Sequence, residues 1–120
     1  MPEATGREGE RSERRRAKRV SLKVPIECRV GNELVSGLAE NISVTGLLVR
    51  VHSAHTFPQN TEIVVSFSLP ESFGSIHTRA RVAHEVPGVF MGVEFLERTS
   101  ALESQIEKFI LFSEVPASTQ

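Results

Sequence analysis

The sequence predicts a mainly β domain: a six-stranded antiparallel β-barrel with a C-terminal α-helix and a disordered basic N-terminal arm. Three observations predict it. Apolar residues alternate with polar ones at period two in several separate runs, the pattern of half-buried strands. Mostly short turns rich in Gly, Pro and Asn join those runs, which favours an antiparallel meander. Six such strands close most economically into a small barrel. Only near the C-terminus does the spacing change to that of a helix.

Residues 1–13 are rich in Glu, Arg, Gly and Ser, with almost no apolar content to offset chain entropy, so they are expected to be a disordered tail. Val20, Leu22, Val24, Ile26, Cys28 and Val30 then alternate as the first strand, with Pro25 outward, where the strand should be an edge or bend. Gly31-Asn32 marks a hairpin turn. A second strand runs from Glu33 to Glu40, with Gly37 as a bulge or bend, and Asn41–Gly46 forms the next turn. Leu47–Val51 is the third strand, and His52–Asn60 a loop. Ile63, Val65, Phe67 and Leu69 define the fourth strand. Ile76, Thr78, Ala80, Val82, His84 and Val86 define a long fifth, with His84 expected to be partly buried. Pro87-Gly88 turns the chain into a sixth strand over Val89–Phe95. Ser100 followed by Glu103 has the form of a capping box. Leu102, Ile106, Phe109 and Ile110 place an amphipathic helix over residues ~100–113, stopped by Pro116. The folded domain is therefore expected over residues 14–113, with 114–120 a short C-terminal tail.

The composition narrows the functional classes. At 120 residues, 39% hydrophobic and 24% charged, the chain is one ordinary globular domain. It has no apolar run of the ~18 residues a membrane span requires and no apolar segment resembling a secretory signal. Cys28 is the single cysteine, which excludes an internal disulfide and a cysteine-built metal site; a cytoplasmic location is expected. The net charge of −1 hides an asymmetry: residues 1–19 carry seven Lys/Arg against four Glu, the remainder seven against eleven. A basic arm thus precedes a mildly acidic body and should attract anions. The four histidines show no metal-ligand spacing, and Ser43 has no base and acid partners at a recognisable spacing. The chain therefore reads as a non-enzyme without a metal.

Two segments carry the functional signal. Arg15-Arg16-Ala17-Lys18-Arg19, with Arg14 before it, sets guanidinium groups on a flexible arm. Arginine's planar fork suits both phosphate and the O6/N7 edge of guanine. Asn41-Ile42-Ser43-Val44-Thr45-Gly46 adds an amide and a hydroxyl at alternate positions, expected to point the same way, and a glycine that permits a positive φ and a close backbone approach. Alone, the arm would equally suit a nucleic acid, and the second segment is ordinary turn chemistry. Together they suit a small anionic ligand with phosphates and a purine edge.

The pair resembles the two motifs of the PilZ domain, a bacterial receptor module for cyclic di-GMP: RxxxR before the first strand and [D/N]xSxxG after the second. Arg15 and Arg19 match the first, and Asn41, Ser43 and Gly46 the second, with Asn where many members carry Asp. Met91-Gly92-Val93-Glu94-Phe95 looks like the family's last barrel strand, and the likeness covers roughly residues 13–113. The resemblance implies that Arg14, Arg15 and Arg19 grip phosphates and guanine edges, that Asn41 and Ser43 contact a base, and that Gly46 shapes the turn. It also implies a cyclic di-GMP receptor, without cofactor or catalysis, whose arm closes on the ligand. Output would pass to an unidentified protein partner, in motility or a related signalled behaviour, with no nucleic acid polymer and no membrane insertion. A monomer or a homodimer would serve. The alternative is a degenerate PilZ adaptor that does not bind the nucleotide and acts by protein–protein interaction only.

Overall fold

In the computed structural model, residues 18–52 and 56–114 are described. The expectations for the 1–13 tail, for Arg14, Arg15 and Arg16, and for Pro116 and the end of the chain lie outside the described residues. Val20–Val30 forms β1, Glu33–Ile42 β2, Gly46–Val51 β3, Glu62–Ser68 β4, Ser75–Val86 β5 and Phe90–Phe95 β6, and the helix α1 spans Ser100–Glu114. All six strand pairings are antiparallel, and they close a barrel in the order β1-β2-β3-β6-β5-β4.

That order corrects the expectation of a simple meander. Two three-stranded meanders, β1-β2-β3 and β4-β5-β6, join along both edges, so β3 pairs with β6 and β1 with β4. The connection after β3 is long enough to cross from one meander to the other. Phe57 within it is buried in the core and anchors the crossing.

Period-two alternation fixes which face is buried. Leu22, Ile26 and Cys28 of β1, Val35 and Ala39 of β2, Leu47, Val49 and Val51 of β3 point into the barrel. Ile63, Val65, Phe67, Ile76, Ala80, Val82, Met91, Val93 and Phe95 fill it from the other side. Gly31, at φ 57, opens the two-residue turn that brings Val30 opposite Glu33. Pro25 is exposed, and the ladder between β1 and β4 begins one residue later, at Ile26. A missing N–H is tolerated there because no bond to β4 is needed.

Three bulges interrupt the ladders, between Ser21 and Val24 in β1, Ala39 and Asn41 in β2, and Val82 and His84 in β5. The first holds Lys23 at φ 59. The third moves the end of β5 off the alternation, so His84 and Val86, expected on the inner set, are exposed.

Helix α1 lays Ile106, Phe109 and Ile110 onto the core. Gln105 Nε2 donates to the carbonyls of Phe73 (2.8 Å) and Ser75 (3.2 Å), and the Phe73 ring meets Phe109 edge-on. These contacts seat the helix against the β4–β5 hairpin. Its N-cap is Thr99, whose Oγ1 accepts from the Leu102 N–H at 3.1 Å, and not Ser100, which is already helical. The helix also runs one residue past the expected boundary, to Glu114.

Candidate ligand-binding site

The ends of β1, β2 and β3 assemble the second motif and the last residue of the first. Ser21 lies opposite Asn41, and Val20 opposite Ile42, so the residue before β1 stands beside the end of β2. Arg19 Nη1 donates to Asn41 Oδ1 at 2.9 Å. The two motifs, about twenty residues apart in the chain, thus meet through an exposed guanidinium and a half-buried amide. A guanidinium carries five donors, and this bond occupies one. Arg14 and Arg15, expected to act with Arg19, fall outside the described residues.

Asn41 belongs to β2 and not to the turn, which is the shorter Ser43-Val44-Thr45. The expectation that Asn41 and Ser43 share a face is corrected. Ser43 is 0% exposed and is the single buried polar residue among the described ones, whereas Asn41 meets the exposed Arg19. Alternation fails because the strand ends at Ile42 and the chain turns at the next residue. The Ser43 hydroxyl bonds Thr45 Oγ1 (2.8 Å) and accepts from the Thr45 N–H (3.2 Å). Its own N–H donates to the Gly46 carbonyl at 2.8 Å. Ser43 thereby closes the turn.

Gly46 is required for close approach alone. Its φ is not positive, but a Cβ there would stand 2.0 Å from the Val93 carbonyl oxygen of β6. The residue therefore lets β3 and β6 pair tightly beneath the turn, with the Phe95 N–H bonded to the Thr45 carbonyl at 2.9 Å.

Sequence reasoning missed the charged group beside this end. Glu40, the extra residue of the β2 bulge, accepts from Lys23 Nζ at 2.7 Å and from Arg50 Nε at 3.0 Å. These bonds, Lys23's first, hold its carboxyl below the ordinary carboxylate range. One carboxylate so ties β1, β2 and β3 together and leaves a net positive surface around Asn41. Nothing in the sequence pairs these three residues; only the bulges bring them together. Lys18, inside the first motif, reaches Glu114 at the end of α1, with Nζ–Oε2 at 2.5 Å.

A groove of about 670 Å³ runs across β1 between β2 and β4, lined by Pro25, Glu27, Ser36, Leu38, Ser66 and Ser68 among others. It contains no residue of either motif. Among the described residues no group of three His, Cys, Asp or Glu could hold a metal ion, and no helix is long and apolar enough to cross a membrane.

A family model for the PilZ domain matches residues 13–112. The chain belongs to the PilZ domain family. Its barrel is similar to solved structures of that family at low sequence identity. With the PilZ domain of YcgR from Escherichia coli, solved with c-di-GMP, this PilZ domain shares 15% identity at a TM-score of 0.70, covering 84% of this chain and 92% of that one. The PilZ domain of CeSA from a cellulose-synthesizing bacterium gives 17% and 0.63, covering 82% and 99%. The Bacillus subtilis inhibitor of motility MotI/DgrA gives 19% and 0.66, covering 78% of this chain but only 47% of that protein. These likenesses establish the fold. No curated protein sequence matches the chain significantly.

Proposed function

We propose that this PilZ domain is a cyclic di-GMP receptor that changes conformation on ligand binding and signals through protein–protein contacts. The observation that carries the reading is the Arg19–Asn41 hydrogen bond, which joins the last arginine of the first motif to the first residue of the second. Arg14, Arg15 and Arg19 supply forks for phosphate and the guanine O6/N7 edge. Asn41 offers an amide that both donates and accepts, while Ser43 and Gly46 hold the turn on which the ligand rests. The receptor unit spans residues 14–113, with 1–13 as an N-terminal tail and 114–120 as a short C-terminal one, and it works in the cytoplasm as a monomer or a homodimer. It has no catalysis, cofactor or metal of its own, no membrane insertion and no nucleic acid polymer as partner.

The switch is local. Lys18 and Arg19 are adjacent, so drawing the arginines onto a ligand pulls on the Lys18–Glu114 pair at the end of α1. An exposed pair of this kind is worth only about 0–1 kcal/mol, so a bound dianion easily outcompetes it. The freed end of α1 is the surface offered to the unidentified protein partner.

Calorimetric titration tests the reading. Cyclic di-GMP should bind the wild-type domain at micromolar or tighter affinity, an Arg15→Ala/Arg19→Ala variant should lose that binding, and cyclic di-AMP should give no heat. Absence of binding by the wild type overturns the reading and favours the adaptor. Binding that falls steeply with salt and ignores base identity favours a nucleic-acid arm.

A further inference from the structure

Strand β2 loses its alternation where the second motif begins. Ala39 and Ile42 are both buried, so strict alternation cannot hold across the two residues between them. Glu40 and Asn41 instead both stand on the outer side, half-buried. Glu40 is bonded there to the exposed Lys23 and Arg50, and Asn41 to the exposed Arg19. The registers give the cause. On the β3 side, Ala39 pairs with Val49 and Asn41 with Leu48, which leaves Glu40 with no residue opposite. On the β1 side, Asn41 pairs with Ser21 and Ala39 with Val24, so Leu22 and Lys23 share the space opposite Glu40. Bulges in two adjoining ladders therefore meet at one residue. Without the bulge in β2, Asn41 would point into the core.

A bulge is a local choice of register, and something must hold it. The Glu40 side chain is only 14% exposed. It accepts from Lys23 Nζ at 2.7 Å on one carboxylate oxygen and from Arg50 Nε at 3.0 Å on the other. Lys23 belongs to the β1 bulge and sits at φ 59, a left-handed conformation that lysine seldom adopts. Strain of this kind persists only where the surroundings over-determine it, and it clusters at functional sites. Arg50 comes from β3, two residues beyond Leu48, the register partner of Asn41. One carboxylate thus fastens the bulged residue of β2 to both neighbouring strands, immediately before Asn41.

We infer that Glu40 is a positioning residue of the proposed site: its ion pairs with Lys23 and Arg50 lock the paired bulges and keep Asn41 turned outward, within reach of Arg19 and of the ligand. The inference rests on the cyclic di-GMP reading above and gives Glu40 no contact with the ligand. A carboxylate beside a site for an anion is otherwise a liability. By field alone it repels the ligand and occupies two cations that could attract it. The two roles predict opposite signs. A carboxylate acting only through its charge makes Glu40→Gln bind the ligand more tightly; one that aims Asn41 makes it bind more weakly.

The test is calorimetric titration of cyclic di-GMP into the full chain, Glu40→Gln, Asn41→Ala and the double variant, with Arg19→Ala as the control for the site itself. Glu40→Gln should weaken binding about 3- to 10-fold, a coupling usual between neighbours in one hydrogen-bond network. In the Asn41→Ala background the same substitution should weaken nothing, because no amide remains to be aimed. A purely structural role would lower affinity equally in both backgrounds. NMR of the ligand-free domain reads the same coupling through the Asn41 side-chain amide resonances, assigned by their loss in Asn41→Ala. Arg19→Ala should move them in the wild-type background and move them little in Glu40→Gln. Unchanged or tighter binding by Glu40→Gln, or equal weakening in both backgrounds, beside lost affinity in Arg19→Ala, overturns this inference and leaves the receptor reading standing. Failure of the wild type to bind overturns the receptor reading, and the Asn41 resonances then decide the positioning role: an undiminished Arg19→Ala shift in Glu40→Gln overturns it.

Discussion

Gly46→Ala separates the two reasons a glycine could stand at the end of the second motif. The added Cβ would lie 2.0 Å from the Val93 carbonyl oxygen, 3.0 Å from its carbon and 3.1 Å from Glu94 Cα. Tolerable carbon–oxygen contacts begin near ~3.3 Å, so β3 and β6 must part by roughly 1 Å. All three obstacles are backbone atoms, so no side chain can swing away. Overpacking of this kind costs about 1–3 kcal/mol. The movement also strains the Ser43 N–H···Gly46 O and Phe95 N–H···Thr45 O bonds, each worth about 0.5–1.5 kcal/mol net. Overpacking together with one lost bond gives about 2–4 kcal/mol, which for a domain of this size lowers the thermal midpoint by roughly 10–25 °C. Thermal unfolding followed by far-ultraviolet circular dichroism reads this directly. Gly46→Asn sharpens the comparison, because Asn tolerates a positive φ but carries a larger side chain. If space is the constraint, Asn is no better than Ala. A midpoint within about 2 °C of wild type for Gly46→Ala, or clear rescue by Asn, would refute the close-approach argument.

Other perturbations test neighbouring claims. Glu40 has its carboxyl held down by Lys23 and Arg50, so its contribution is present above the unfolded value near 4.5 and lost as pH falls through the lower folded value. Urea unfolding of wild type and Glu40→Gln should therefore differ at neutral pH and converge on acidification below that range. Burial pushes the Cys28 thiol up to about 12. At pH 8 a disulfide reagent should label it only as fast as the domain unfolds. Thr99→Ala should cost about 1 kcal/mol through the lost N-cap, and Ser100→Ala less than about 0.5 kcal/mol, measured by chemical denaturation.

The strands were legible because period-two alternation is a local signal that tertiary context seldom overrides. The β1 and α1 core residues read from spacing are those the barrel buries or half-buries, from Leu22, Ile26 and Cys28 to Ile106, Phe109 and Ile110. Strand order was less legible. Short turns announce which consecutive strands pair, but nothing local to β3 or β4 says that the chain crosses between them and leaves β3 to β6. Bulges hide in the same way. His84 keeps the apolar phase of β5 in the sequence, and one extra residue in the ladder after Val82 turns it outward. The capping error at Ser100 has a simpler origin: two hydroxyl residues stand side by side, and the Thr99–Leu102 bond decides between them.

For the candidate site, residue type was legible and role was not. A motif records that a position needs Ser or Gly, and the same residue serves a ligand contact or a turn equally well. Ser43 is buried against Thr45, and Gly46 makes room for Val93. Both therefore act on the platform, and their loss should change the fold before it changes chemistry. Arg19 and Asn41 have the opposite character: they are accessible and bonded to each other, so their substitution should leave the barrel intact and alter only what it holds. The second motif thus divides into a structural half, Ser43 and Gly46, and a half free to contact a ligand, Asn41. A site read from both motifs as one undivided set would attribute to recognition what belongs to β3–β6 closure. Stability and affinity must be measured on the same variants, since an affinity loss that tracks the thermal midpoint reports the turn, and one that does not reports the ligand.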